Sequence, residues 1–148
     1  MTDPGGTPAL VVFACVRNAG RSQIAAALFN AVADPAVARA ISAGTAPGRH
    51  VHPEVITVME ELGIDLAATR PRLLTPELAD GASHLITMGC GDACPYIPGA
   101  VRADWPLPDP QGRSRDEVRA VRDDIGRHVA ALVAANGWAR PAAQSSTT

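Results

Sequence analysis

Three side chains set at fixed spacing suggest chemistry before any element is assigned. The stretch Cys15-Val16-Arg17-Asn18-Ala19-Gly20-Arg21-Ser22 holds a thiol, an arginine six residues later and a hydroxyl directly after it. The arginine offers a planar fork of donors to the oxygens of a tetrahedral anion. Ser22 could donate its hydroxyl to the Cys15 sulfur and favour the charged form. Placed where a strand passes into a helix, Val16 to Ser22 would turn their N–H groups toward one centre, with the positive end of the helix dipole behind them. A thiolate at the first position of such a loop would sit beneath a bound oxyanion, as a nucleophile. The competing reading makes Cys15 a small buried hydrophobe and Arg21 an ordinary residue at a helix start.

A second cluster lies at Thr87-Met88-Gly89-Cys90-Gly91-Asp92-Ala93-Cys94-Pro95. If Cys90 and Cys94 were one helical turn apart, their Cα atoms would lie about 6 Å from each other, within reach of a disulfide after modest distortion. Two buried thiols, or two ligands of a metal site completed by His50 or His52, are the other readings. The spacing is not that of a zinc knuckle, and no second cysteine pair exists. No metal is therefore expected, and chemistry carried by thiols needs no organic cofactor.

The surrounding pattern supplies the elements that would position these groups. Ala9–Ala14 is an apolar run of strand length, and the stretch from Gln23 to Val32 is helical in pattern. Val37–Ala43 alternates like a strand, Gly44–His52 reads as a loop, and Pro53 opens a helix with Val55, Ile56, Met59 and Leu62 on one face. Thr75 is a plausible cap for another short helix. His84–Met88 and Ala100–Ala103 read as further strands, and Ser114 to Ala135 as a long helix ended by Gly137. Strands alternating with helices predict an α/β fold, a single domain with a parallel four-stranded sheet flanked by helices. The domain is expected over residues 9–137, with 1–8 and 138–148 as flexible termini. In such sheets ligands bind beyond the carboxyl ends of strands, where Cys15 and Cys90 would both stand.

Composition narrows the class. A chain of 148 residues, 47% hydrophobic, has room for one real core. A net charge of −2 argues against nucleic acid as a partner. No apolar run reaches membrane-spanning length and the N-terminus lacks a signal pattern, so a cytoplasmic protein with no membrane partner is expected. Three cysteines, an odd number, suit a reducing compartment and catalytic or redox use.

The stretch from Cys15 to Gln23 resembles the active-site loop of low-molecular-weight tyrosine phosphatases, and specifically of the arsenate reductases built on that fold. The segments 87–95 and 104–110 support the narrower likeness, which runs from about Ala9 to Val133. The resemblance implies Cys15 as nucleophile, Arg21 with residues 16–22 as the oxyanion site, and Asp109, before Pro110, as the general acid. Asp104 is a weaker candidate for that acid. Asn18 would hold the loop in its strained shape. Some relatives bind potassium through an acidic residue of the first helix; the matching place here, near Ala26, is apolar, so no such site is expected. Phosphatases of this kind carry tyrosines after the acid loop, whereas Gln111 and Gly112 follow Pro110 here. The likeness to arsenate reductases therefore implies arsenate as substrate. It further implies a relay in which Cys90 attacks Cys15, Cys94 attacks Cys90, and thioredoxin reduces the resulting disulfide, although Cys90 and Cys94 stand closer together than in many thioredoxin-coupled relatives. A small thiol such as mycothiol or glutathione is the alternative reductant. A phosphatase and a non-catalytic oxyanion-binding redox module are the alternative functions, and a monomer is expected.

Overall fold

Ala9 to Cys15 form β1, whose residues Val11 to Ala14 are wholly buried, because neighbours cover the strand on both edges and both faces. The remaining strands are β2 (Ala38–Gly44), β3 (His84–Thr87) and β4 (Val101–Asp104), in the spatial order β2-β1-β3-β4, and every pairing is parallel. A computed structural model describes residues 7–89 and 96–141. It has the expected single α/β domain, with helices α1 (Arg21–Val32), α2 (Pro53–Glu60) and α3 (Arg115–Asn136). Among the described residues no helix is long and apolar enough to cross a membrane.

Alternation along β1 divides the core in two. Val11, Phe13 and Cys15 face one cluster, to which all three helices contribute, among them Phe29 of α1, Val55 and Met59 of α2 and Ile125 of α3. Leu10, Val12 and Ala14 face a smaller cluster on the other side of the sheet, closed by Leu74, Ala79, Ala82 and Ile97. The segment after Thr75, expected as a short helix, is a turn instead. Thr75 does cap it, its Oγ1 accepting from the Leu78 N–H at 3.1 Å, but Gly81 at φ 77° ends it after one turn. A single turn does not recover the entropy of helix nucleation.

The long helix α3 is bounded by its own sequence. Ser114 accepts from the Glu117 N–H while Glu117 accepts from the Ser114 N–H, a reciprocal cap, and Gly137 at φ 70° closes the other end. Arg119 and Arg122 of α3 both reach Glu61, just past α2, and hold its carboxyl at a pKa of about 2. Beyond α3 the chain turns back along α1: Trp138 packs edge-on against Phe29, and the Arg140 N–H bonds Val32 O at 3.1 Å. The packed body thus reaches Arg140, past the boundary at 137 read from the sequence.

Phe29 joins β1, α1 and the returning chain, with its ring 6.0 Å from Phe13 and 5.9 Å from Trp138. Phe29→Ala is expected to cost about 3–5 kcal/mol of unfolding free energy, measured by urea titration. Burial lowers the pKa of His84, whose ring lies edge-on to Trp138, below 6.5. The unfolded chain then binds more protons than the native one between that lowered value and 6.5. Stability should be full above pH 6.5 and fall as pH drops through this window. In His84→Gln the fall should be smaller, as read from urea midpoints at several pH values.

Candidate active site

The loop between β1 and α1 is shaped mainly by where its carbonyl groups go. The oxygens of Cys15, Val16, Arg17 and Ala19 accept from the N–H groups of Thr45, Ala46, Gly48 and His52, at 2.8 to 3.1 Å. Gly20 O accepts from the Ile24 N–H, and Asn18 O from Gln23 Nε2. Every carbonyl from Cys15 to Gly20 is thus engaged by the chain around the loop. The backbone N–H groups of Val16, Arg17, Ala19, Gly20 and Arg21 make no bond to any described residue. These five residues border a cavity of about 190 Å³, together with Cys15, His52 and Asp109. Oriented N–H groups at a helix start are an anion site.

Asn18 is the pin of this loop. It sits at φ 53°, a left-handed conformation that asparagine tolerates better than most residues. Its Oδ1 accepts from the Arg72 N–H at 3.0 Å and from Gln23 Nε2 at 3.1 Å. A backbone N–H can only donate, so the orientation of the Asn18 amide is fixed. Asn18 Nδ2 therefore donates to Ser22 Oγ at 2.8 Å. Ser22 in turn is left to donate its own proton to Cys15 Sγ, 2.9 Å away. The Asn18 N–H, 3.3 Å from Sγ, is a second donor. Two hydrogen bonds converging on a buried sulfur suit an anionic acceptor.

Arg21 opens α1 and lies across the cavity. Its Nη1 donates to Leu107 O at 2.9 Å, and its Nη2 stands 3.9 Å from Asp109 Oδ2. Asp109 is half exposed, with its Oδ1 accepting from the Gln111 N–H at 3.0 Å. The structure thus gathers Cys15, Arg21 and Asp109 in one pocket, bordered by Val16, Arg17, Ala19 and Gly20. Asp104, the other candidate acid, is bonded to Thr87 Oγ1 at 2.7 Å and does not border that pocket. Cys90 and Cys94 lie outside the described residues.

Two residues of the site carry no recognisable signal of that role in the sequence. Gly89, at φ 105°, leaves room for the Arg21 side chain: a Cβ there would come within 2.8 to 3.0 Å of the guanidinium. His52 precedes α2 and borders the same pocket as Asp109. Its pKa is lowered, chiefly by burial and also by Arg17, while Asp109 acts the other way. The rule that ligands sit at the carboxyl ends of strands could have pointed to His52, since the loop after β2 shares that edge with the loop after β1. In Gly89→Ala the guanidinium must shift, and affinity for inorganic phosphate should fall about tenfold or more, the equivalent of one charge-assisted hydrogen bond. Isothermal titration against phosphate checks this, and unchanged affinity would show that Arg21 binds from elsewhere.

Comparison with known proteins agrees with this geometry. A glutaredoxin arsenate reductase of Synechocystis is 34% identical over 127 residues, covering 84% of this chain and 95% of that one. The solved structure of a thioredoxin-dependent arsenate reductase of Corynebacterium glutamicum superposes with a TM-score of 0.76 at 34% identity, over 88% of this chain and 63% of that one. The arginine phosphatase of Geobacillus stearothermophilus, with a TM-score of 0.71 at 24% identity over 88% and 94% of the two chains, shares the fold. The model of the low molecular weight phosphotyrosine protein phosphatase family matches residues 10–139, and the chain belongs to that family.

Proposed function

We propose that this chain is an arsenate reductase that converts arsenate to arsenite in the reducing cytoplasm. The observation that carries the reading is the convergence of Ser22 and the Asn18 N–H on the Cys15 sulfur, which lines one pocket with Arg21 and Asp109. The names of the Synechocystis and Corynebacterium relatives, both arsenate reductases, support arsenate over a phosphate ester. So does the acid loop, where Gln111 follows Pro110, and among the described residues no Phe, Tyr or Trp borders the Cys15 cavity.

In the proposed cycle the Cys15 thiolate attacks arsenic, and an As–O bond breaks as Asp109 supplies a proton to the departing oxygen. The N–H groups and Arg21 hold the remaining oxygens. Cys90 then attacks the Cys15 sulfur. The S–As bond breaks with its electron pair staying on arsenic, which leaves as arsenite, and a Cys15–Cys90 disulfide remains. Cys94 attacks Cys90, and thioredoxin reduces the Cys90–Cys94 disulfide by exchange. Two electrons leave the thiols and two reach arsenic. Arsenic(V) accepts electrons from thiols and phosphorus(V) does not, so the second thiol has a use only in the reductase.

Cysteine variants separate this reading from its competitors. Cys15→Ser should abolish arsenate reduction. Cys90→Ser should stop thioredoxin-coupled reduction while leaving slow hydrolysis of p-nitrophenyl phosphate largely intact. Cys94→Ser should release one equivalent of arsenite and then stall, with Cys15 and Cys90 joined in the mass spectrum. Hydrolysis without any arsenate turnover would make the chain a phosphatase. Arsenate binding with neither activity would make it a binding module. Normal cycling of Cys94→Ser with thioredoxin would remove Cys94 from the relay.

A further inference from the structure

Six polar or charged side chains are buried among the described residues, and three of them, Asn18, Ser22 and Gln23, belong to one network at the Cys15 loop. The reaction gives Gln23 no task of its own. It lies in the first turn of α1, only 4% exposed, and does not border the Cys15 pocket. Its Nε2 donates to two oxygens of a single residue, Asn18 O at 3.0 Å and Asn18 Oδ1 at 3.1 Å. Burying an amide is costly unless it is bonded, and an apolar side chain would fill the same place freely, as Ile24 and Ala25 do next to it.

The polarity of Gln23 is forced. A backbone carbonyl only accepts, and Asn18 Oδ1 is identified as oxygen by the Arg72 N–H, which donates to it at 3.0 Å. Gln23 must therefore present nitrogen to both. Each contact fixes something beyond Asn18. Through Oδ1, Gln23 shares in holding the amide whose Nδ2 donates to Ser22 Oγ at 2.8 Å, and that bond leaves the Ser22 proton for Cys15 Sγ. Through the backbone oxygen it holds the peptide between Asn18 and Ala19. In a planar trans peptide the N–H points opposite to the C=O, so the Ala19 N–H points away from Gln23. Ala19 borders the Cys15 pocket, and its N–H is one of those with no partner among the described residues.

We propose that Gln23 is a positioning residue for the reaction at Cys15. By gripping both oxygens of Asn18, it sets the reactivity of the sulfur and the affinity of the loop for an oxyanion together. The proposal rests on the reading of Cys15 as nucleophile. A Gln23 that merely filled the core would behave otherwise: its loss would lower stability and leave the chemistry of the folded chain unchanged.

Gln23→Met keeps the length of the side chain and removes the donor. Alkylation of Cys15 by iodoacetamide at about pH 6, followed on the Cys15 peptide by mass spectrometry, should slow by about tenfold, and affinity for inorganic phosphate by isothermal titration should fall by about as much. Thioredoxin-coupled arsenate turnover should lose more in kcat/KM than either reading alone. Gln23→Glu keeps the shape and supplies a second test. Its carboxylate opposes two oxygens when ionised and regains one donor when protonated. Its phosphate affinity, taken relative to wild type at each pH, should therefore recover as pH falls from about 8 to about 5. Wild-type alkylation and phosphate affinity in Gln23→Met would overturn the proposal, whatever the change in its urea midpoint. A constant ratio to wild type across that pH range in Gln23→Glu would overturn it as well. Arsenate turnover that survives Cys15→Ser would instead remove the reading on which the proposal rests.

Discussion

The site depends on one constraint: the carbonyl oxygens of the loop after β1 are claimed from outside it. Backbone that must curl around an anion can present either its N–H or its C=O groups inward, and unpaired buried carbonyls would repel the ligand. Here the segment after β2 takes the oxygens of Cys15, Val16, Arg17 and Ala19, and α1 takes those of Asn18 and Gly20. The N–H groups of Val16, Arg17, Ala19, Gly20 and Arg21 are left without a partner among the described residues. The proposed anion site is thus a product of pairing between two loops at one sheet edge, more than of any single side chain. That pairing exists because β1 and β2 run parallel and in register from Ala9 and Ala38 to Cys15 and Gly44, which brings both loops out at the same end.

Side chains then refine what the backbone sets up. The order of donors from the Arg72 N–H through Asn18 and Ser22 to the sulfur is forced at its first step, because a backbone N–H cannot accept. Each later group inherits its role from the one before. Arg21 closes the roof by bonding Leu107 O, while its second nitrogen stays near Asp109. Asp109, the proposed acid, is held loosely by comparison, half exposed and bonded through one oxygen to Gln111 N.

How much of this could be read from the chain alone follows the range of the interactions. Cys15, Arg21 and Ser22 lie within eight residues, and the apolar run before them and the helical pattern after them fix their setting, so the loop was legible. The strands and the long helix were legible too, since Ser114, Glu117 and Gly137 mark the ends of α3 in local terms. The turn at Thr75 carried a helix-start signal without the length to use it. His52, the Arg72 N–H and Gly89 were not legible as parts of the site, because each acts on residues between 30 and 70 positions away. No local composition records such a contact. Only the register of the sheet brings them together.

The packing of Arg21 on Gly89 ties two events that the sequence keeps apart. The guanidinium occupies the space where any side chain at 89 would project, so the backbone at Gly89 and the proposed anion clamp cannot vary independently. Whatever fixes the clamp also biases the backbone at residue 89. By reciprocity, whatever pulls on that backbone changes the affinity for the anion by the same factor. The position of the Arg21 guanidinium and the backbone at Gly89 are, in this fold, linked.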